Sequence, residues 1–255
     1  MQTNHPITEQ KNHQLPHPGK KGLIFGLIYY PVHSLFISGL VILLFMTIFL
    51  TFGDFPDGVL PFNLLVYPVA VGILIQTLVY LGIARRILKV DSFVFKTNLG
   101  KNIKIIAIAA VAGQILAIPY GLLMEHLGLI EGLGANNQMA HDLLLANIPV
   151  MLIVMWVLAP IWEEILMRGM IFAPLRKRSR ILAYAVSALA FGLLHTWSFM
   201  RESGITTELL ITTTLYFFPA ISFSWAYEKT GSLWGAIATH TVSNIIGVAW
   251  LVFGL

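Results

Sequence analysis

Long apolar runs recur along this chain, and they constrain its fold more than any other feature. Runs of about 20 residues are long enough to cross a hydrocarbon core of ~30 Å as helices, and only helices or closed barrels satisfy the backbone inside lipid. Of the 255 residues, 57% are hydrophobic and 11% charged, against roughly 45–50% and 25% in an average soluble domain. The sequence therefore predicts an all-α, polytopic membrane bundle.

Hydropathy predicts seven spans, or eight helices if the segment 22–30 forms an interfacial helix rather than the start of the first span. The predicted spans are 33–52, 62–83, 103–124, 146–172, 181–199, 207–227 and 233–253. The first 22 residues are polar and proline-containing, so we predict a disordered tail at 1–22 and an integral membrane domain at 23–255.

Basic residues cluster in alternate loops, at 11–21, 85–104 and 176–180, whereas the first and third loops carry acidic residues. The positive-inside rule therefore places the N-terminus in the cytoplasm and the protein in the cell membrane. Since the basic residues flank apolar runs, their predicted partners are anionic lipid headgroups of the bilayer and not nucleic acid, despite a net charge of +4. The absence of cysteine excludes disulfides and thiol catalysis.

Three charged residues fall well inside a span: Glu163, Glu164 and Arg168. Each costs about 2.5–3.5 kcal/mol at the centre of a membrane helix, so such residues are usually paired and functional. Glu164 and Arg168 are four residues apart, the spacing and orientation of a helical ion pair. Glu163 points about 100° away from that pair and has no local cation, so it can serve as a general base. The alternative is a purely structural role, in which the three charges hold helices together.

Later spans add two histidines and an asparagine. His195 lies four residues after Phe191, so the phenyl ring can shield the imidazole. His240 lies four residues before Asn244, so these two side chains project together. At about 1.5 Å per residue, Glu163, His195 and His240 lie about 14, 21 and 11 Å from the cytoplasmic helix ends. We therefore expect them to meet in one intramembrane cavity, where they could activate water and stabilise an oxyanion.

The motifs EEILMRG, FGLLH and HTVSN occur in this order in the chain. They resemble the EExxxR, FxxxH and HxxxN motifs of the CPBP family, the CAAX prenyl endopeptidases and bacteriocin-processing proteases, also called the Abi family. The resemblance covers about residues 136–250. There is no HExxH or GxSxG motif, nor a pair of intramembrane aspartates.

The resemblance implies a helical membrane endopeptidase with a water-accessible cavity. It implies that Glu163 and His195 activate the attacking water, that His240 and Asn244 hold the oxyanion, and that Glu164 and Arg168 support the site. We predict a mechanism without a metal cofactor. Because family members are often described as metalloproteases, zinc bound by Glu163, His195 and His240 is the alternative.

The leading hypothesis is an intramembrane endopeptidase acting on a peptide or protein, prenylated or not, near the cytoplasmic leaflet. The alternatives are a non-catalytic membrane scaffold or bacteriocin immunity factor and, third, a proton-coupled transporter. Bacteriocin or signal-peptide maturation is as compatible with the sequence as cleavage of a prenylated tail. These alternatives differ at Glu163, since a scaffold tolerates Glu163→Gln and a protease does not.

Overall fold

The structure is a computed structural model that describes residues 15–53, 61–130 and 135–253, with side chains for most of them. Every regular element in these ranges is a helix. The predicted helical membrane bundle is therefore confirmed. Residues 1–14 of the predicted tail, and the loop residues Asp54, Asp57 and Glu131, lie outside the described residues.

Eight helical segments follow one another along the described chain. They are α1 (Lys20–Phe52), α2 (Phe62–Thr97), α3 (Leu99–His126), α4 (Ala135–Ala146), α5 (Ile148–Arg176), α6 (Arg180–Ser203), α7 (Thr207–Thr230) and α8 (Leu233–Phe253). The first turn of α2 is a 3₁₀ helix, and a turn at Tyr216 interrupts α7. Short π-helical segments lie within α1 and α5.

Six of these helices are long and apolar enough to cross a membrane: α1, α2, α3, α5, α6 and α7. The seventh predicted span, 233–253, coincides with α8, whose polar His240, Ser243 and Asn244 lower its mean hydropathy. The predicted second span ended at residue 83, but α2 continues to Thr97. Segment 22–30 was predicted to be either an interfacial helix or the start of the first span; it is the start of α1, which runs without a break into the first span.

The basic residues meet at one end of the bundle, which we call the basic end. Glu228, near the end of α7, accepts hydrogen bonds from Arg176 at 2.5 Å and from Arg180 at 2.8 Å. Asp91 of α2 is buried there and accepts a 2.8 Å hydrogen bond from Ser232. The starts of α3 and α8 therefore lie at the basic end, and their C-terminal ends lie at the opposite end, which we call the distal end.

Part of the predicted tail contacts this basic end. The hydroxyl of Tyr227 donates to the carbonyl of Pro16, and the Lys177 ammonium donates to His17 at 2.8 Å. Helix α1 begins at Lys20. Residues 15–22 are therefore part of the folded bundle, because Pro16 and His17 have partners on α7 and in the turn after α5.

The largest hydrophobic core lies between α2, α5, α6, α7 and α8. Its fully buried members include Tyr80, Phe172, Phe191, Phe223 and Tyr227. Aromatic rings of this size bury ~150–250 Å² each and dominate core energetics. The core therefore fixes the relative positions of α5, α6 and α8, the three helices that carry the candidate site.

Candidate active site

Helix α5 is interrupted one turn before its glutamates. Pro160 has no N–H, so it leaves a carbonyl of the preceding turn without its intrahelical donor, and a π-helical segment, Val154–Leu158, lies there. Asn244 of α8 donates to the carbonyl of Met155, and Thr241 donates to the carbonyl of Trp156, each at 2.8 Å. The proline therefore exposes the backbone groups that hold α8 against α5.

The predicted ion pair between Glu164 and Arg168 is confirmed. Arg168 Nη1 donates to Glu164 Oε1 at 3.1 Å, and Arg168 Nε lies 3.0 Å from Oε2. Both side chains are 0% exposed. A second guanidinium nitrogen, Nη2, donates to the carbonyl of Ala220 on α7 at 2.6 Å. Arg168 therefore neutralises Glu164 and ties α5 to α7.

Glu164 has a second partner that the sequence did not predict. His240 Nδ1 lies 2.8 Å from Glu164 Oε1, and the two residues are 76 positions apart. Because Glu164 is paired with Arg168 as an ionised carboxylate, it is only an acceptor, so Nδ1–H of His240 donates this hydrogen bond and Nε2 is directed elsewhere. Glu164 therefore orients an imidazole of the site as well as balancing Arg168.

Glu163 faces the two histidines, as the depth estimates predicted. Its Oε2 atom lies 3.7 Å from His195 Nε2 and 3.9 Å from His240 Nε2. Glu163 is buried, and its Oε2 atom has no hydrogen-bond partner in the described part of the chain. His195 Nδ1 donates to the carbonyl of Phe191 at 2.9 Å, so both histidines turn Nε2 toward the same carboxylate oxygen.

Aromatic rings enclose the imidazoles. Phe191 lies 4.5 Å from His195 between ring centroids, which confirms the predicted shielding. Tyr216 stacks on His195 at 4.4 Å, and Phe223 stacks on His240 at 4.5 Å. The Arg168 guanidinium lies 5.2–5.3 Å from the rings of Phe191 and Phe223. These rings lower the local dielectric and restrict each imidazole to one orientation.

A close helix contact places His195. Gly192 lies one turn before it on α6, and a Cβ at this position would meet the Thr213 carbonyl of α7 at 2.6 Å. Thr196 and Thr213 are hydrogen-bonded at 3.0 Å beside it. Only glycine allows α6 to approach α7 this closely, which explains the Gly in the FGLLH motif.

A cavity of about 260 Å³ adjoins the site. His195, His240 and Asn244 line it, whereas Glu163 is not among its lining residues. Asn244 uses Nδ2 to bind Met155, which leaves the second N–H of that amide as a donor. Gln114 of α3 also lines the cavity and donates to Ser243 Oγ at 2.8 Å. Sequence reasoning missed Gln114 because it lies outside the three motifs that carry the other candidate residues.

The zinc alternative requires Glu163, His195 and His240 to converge on one point. Among residues 15–53, 61–130 and 135–253, no group of three His, Cys, Asp or Glu side chains is placed to hold a metal ion. The donor types would suit zinc, but the nitrogen-to-oxygen separations of 3.7 and 3.9 Å exceed the ~3.4 Å between two ligands of one tetrahedral zinc with bonds of about 2.1 Å. In this geometry the three groups face one another across a gap.

Comparisons with known proteins gave one family match and one similar protein, and the family match covers the segment that carries the site. Residues 145–246 match the family model described as Rce1-like, type II CAAX prenyl endopeptidase Rce1-like. The chain is 30% identical over 110 residues to a Bacillus subtilis (strain 168) protein named "Putative membrane peptidase YdiL". That alignment covers 43% of this chain and 40% of the relative. No solved structure matches.

All six candidate residues lie inside the matched segment. Both matches point to a membrane protease, and the helices long enough to span a bilayer make this a multi-pass membrane protein. Residues 145–246 of this chain are thus similar to the Rce1-like CAAX prenyl endopeptidases, which supports the resemblance to the CPBP family that the three motifs indicated.

Proposed function

We propose that this protein is an intramembrane endopeptidase that hydrolyses a peptide bond with water activated by Glu163 and His195. The observation that supports this most is the convergence of two imidazole Nε2 atoms on Glu163 Oε2, at 3.7 and 3.9 Å. One water oxygen can hydrogen-bond to two such groups across a gap of this size. The site therefore has a carboxylate and a nitrogen base on either side of the attacking oxygen.

In the first step, Glu163 takes a proton from water as the oxygen attacks the scissile carbonyl carbon. A carbon–oxygen bond forms, and the carbonyl π electrons move onto the oxygen. Two carboxylates and one guanidinium make up the charged set, so a proton can be held here without creating a net positive charge. That matters in a water-poor site, where an uncompensated charge is costly.

His240 and Asn244 are the groups that would bind the oxyanion. Asn244 offers its free amide N–H, and His240 offers Nε2 when it is protonated. Glu164 accepts from Nδ1 at 2.8 Å and so stabilises that protonated form. In the second step Glu163 gives its proton to the scissile nitrogen, the oxyanion re-forms the carbonyl double bond, and the carbon–nitrogen bond breaks. A carboxylic acid and an amine leave, and the acid then transfers its remaining proton to the amine, which gives a carboxylate and an ammonium group.

Asn244→Ala tests the oxyanion role. We expect kcat to fall by about 10²–10³-fold with little change in KM, because an oxyanion donor acts only in the transition state. The matched control is Thr241→Val, which removes the neighbouring bond to Trp156 but does not touch the cavity. Both rates are measured on reconstituted protein with a quenched peptide library. Equal losses in the two variants would mean that Asn244 only holds α8 in place.

We propose that the reaction needs no metal cofactor. Cleavage by the purified, reconstituted protein is expected to persist after treatment with a strong chelator. The check is elemental analysis of wild type and His240→Ala beside the activity measurement. Stoichiometric zinc that disappears together with activity in His240→Ala would assign Glu163, His195 and His240 as zinc ligands instead.

A non-catalytic scaffold or immunity factor is the second candidate. One observation favours it: Arg168 links Glu164 to the carbonyl of Ala220, so part of the cluster does hold helices together. Glu163 is not part of that network in the described structure, since its Oε2 atom makes no hydrogen bond. This separation of the two glutamates supports catalysis over a purely structural role.

Bacteriocin maturation and cleavage of a prenylated tail are both compatible with the proposed endopeptidase function.

For the orientation, we propose that the basic end and the N-terminus lie in the cytoplasm. Arg176, Arg180 and the start of α1 at Lys20 share that end, and positive charge flanking spans is retained on the cytoplasmic side.

A further inference from the structure

The cavity beside the histidines is a channel between two parallel helix faces. On α3 it is lined at one-turn intervals by Gln114, Ala117, Ile118, Gly121, Leu122 and Glu125. On α8 it is lined by His240, Ser243, Asn244, Gly247, Val248 and Trp250. Both sets follow the i, i+3, i+4 spacing of a single helix face. The channel therefore runs along the two helix axes, starting at the site.

The channel leads away from the basic end. Helices α3 and α8 both start there, and the lining residues of α3 extend to Glu125, one residue before its end at His126. Ile130, beyond that helix, lines the channel as well. Glu125 lies eleven positions after Gln114, which corresponds to about 16 Å along the helix at 1.5 Å per residue. The channel thus joins the imidazoles to the distal end of the bundle.

The walls of the channel indicate what it accepts. Between the polar site and the mouth they consist mainly of apolar groups, such as Ile118, Leu122, Leu215 and Val248. Glu125 is exposed and brings a carboxylate to the mouth. A peptide that fills this space needs apolar side chains along its length and gains from a cationic group at the position of Glu125.

We propose that substrate enters through this channel from the distal, extracytoplasmic end, and that Glu125 binds a cationic group of an otherwise apolar peptide. The inference rests on the proposed endopeptidase function and on the proposed orientation. It differs from the sequence-based hypothesis, which placed the substrate near the cytoplasmic leaflet. An extended chain advances about 3.3 Å per residue, so a 16 Å path places the cation about five residues from the scissile bond. The substrate class is therefore an apolar peptide segment with a Lys, an Arg or a free N-terminus near that position.

The first experiment measures charge preference. Reconstituted protein is given quenched ten-residue peptides of Leu, Ala and Ser, with one Lys moved through each position. We expect kcat/KM to be about three- to fivefold higher with Lys about five residues from the cleaved bond, the range of an exposed ion pair. Glu125→Gln should reduce that preference to about one, and Glu125→Lys should transfer it to peptides with Asp at the same position.

The control is Glu208→Gln. Glu208 is an acidic residue in the first turn of α7, also at the distal end, and it does not line the channel. The Lys preference of this variant should equal that of wild type. A preference that is the same in wild type, Glu125→Gln and Glu125→Lys would overturn the role of Glu125.

The second experiment tests the side of entry. The preferred peptide, carrying sulfonated dyes that cannot cross the bilayer, is added to right-side-out and to inverted vesicles from the same expressing cells. Cleavage by right-side-out vesicles is expected, and cleavage by inverted vesicles alone would overturn distal entry. Glu163→Gln is measured in parallel. If that variant cleaves as well as wild type, the proposed function fails. If Glu163→Gln loses cleavage while wild type retains it, the proposed function stands, and the Lys preference and the vesicle comparison decide the entry route.

Discussion

Glu163→Gln is expected to lower kcat for peptide hydrolysis by about 10²–10⁴-fold, the contribution of a positioned general base. The amide keeps the shape of the carboxylate and its distances to His195 and His240, but it cannot take a proton from water. Because Glu163 Oε2 makes no hydrogen bond in the described structure, the substitution breaks no interaction that holds the helices together. The thermal midpoint in detergent should therefore remain near that of wild type.

Two readouts accompany this rate: the thermal midpoint and the binding of peptide. Peptide binding by Glu163→Gln should persist, since Glu163 does not line the cavity. A variant that is folded, binds peptide and still cleaves at the wild-type rate would contradict the assignment of Glu163 as the base.

Arg168→Met is expected to lower the free energy of unfolding by about 3–5 kcal/mol, because it leaves Glu164 as a buried carboxylate without its cation. The reason is the complete burial of both partners, with Nε and Oε2 3.0 Å apart. Cleavage should fall as well, since Glu164 also orients His240. Unfolding is followed by chemical denaturation in mixed micelles.

Two comparisons separate charge from packing. Arg176→Met removes a more exposed partner of Glu228 and should cost less than about 1 kcal/mol. The double variant Arg168→Met/Glu164→Gln should recover part of the stability, because no unpaired charge remains. If Arg168→Met were as stable as wild type, the buried pair would have no structural role.

The sequence predicted the local parts of this site well. The Glu164–Arg168 pair follows from a four-residue spacing on one helix, and the Phe191–His195 contact follows from the same spacing on another. Both relations depend only on helix geometry, which the apolar pattern fixes. Helix depth was consistent with a meeting of Glu163 and both histidines, but it did not determine which helix faces oppose each other.

The parts that the sequence did not predict depend on how helices pack. The bond between His240 and Glu164 joins α8 to α5 and has no local signal. The donation from Asn244 to Met155 arises because Pro160 frees carbonyl groups in α5, so the amide that was expected to face the oxyanion shares its hydrogens with the backbone. The direction of the channel was also missed, because it depends on which faces of α3 and α8 oppose each other.

The most direct test of the central claim compares peptides in cells. Membrane and secreted peptides are analysed by mass spectrometry from cells that carry wild-type protein or Glu163→Gln at equal abundance. Catalysis at Glu163 predicts that a processed peptide disappears in the variant while its longer precursor accumulates. Identical peptide profiles, under conditions in which deletion of the protein has an effect, would contradict the protease and favour the scaffold.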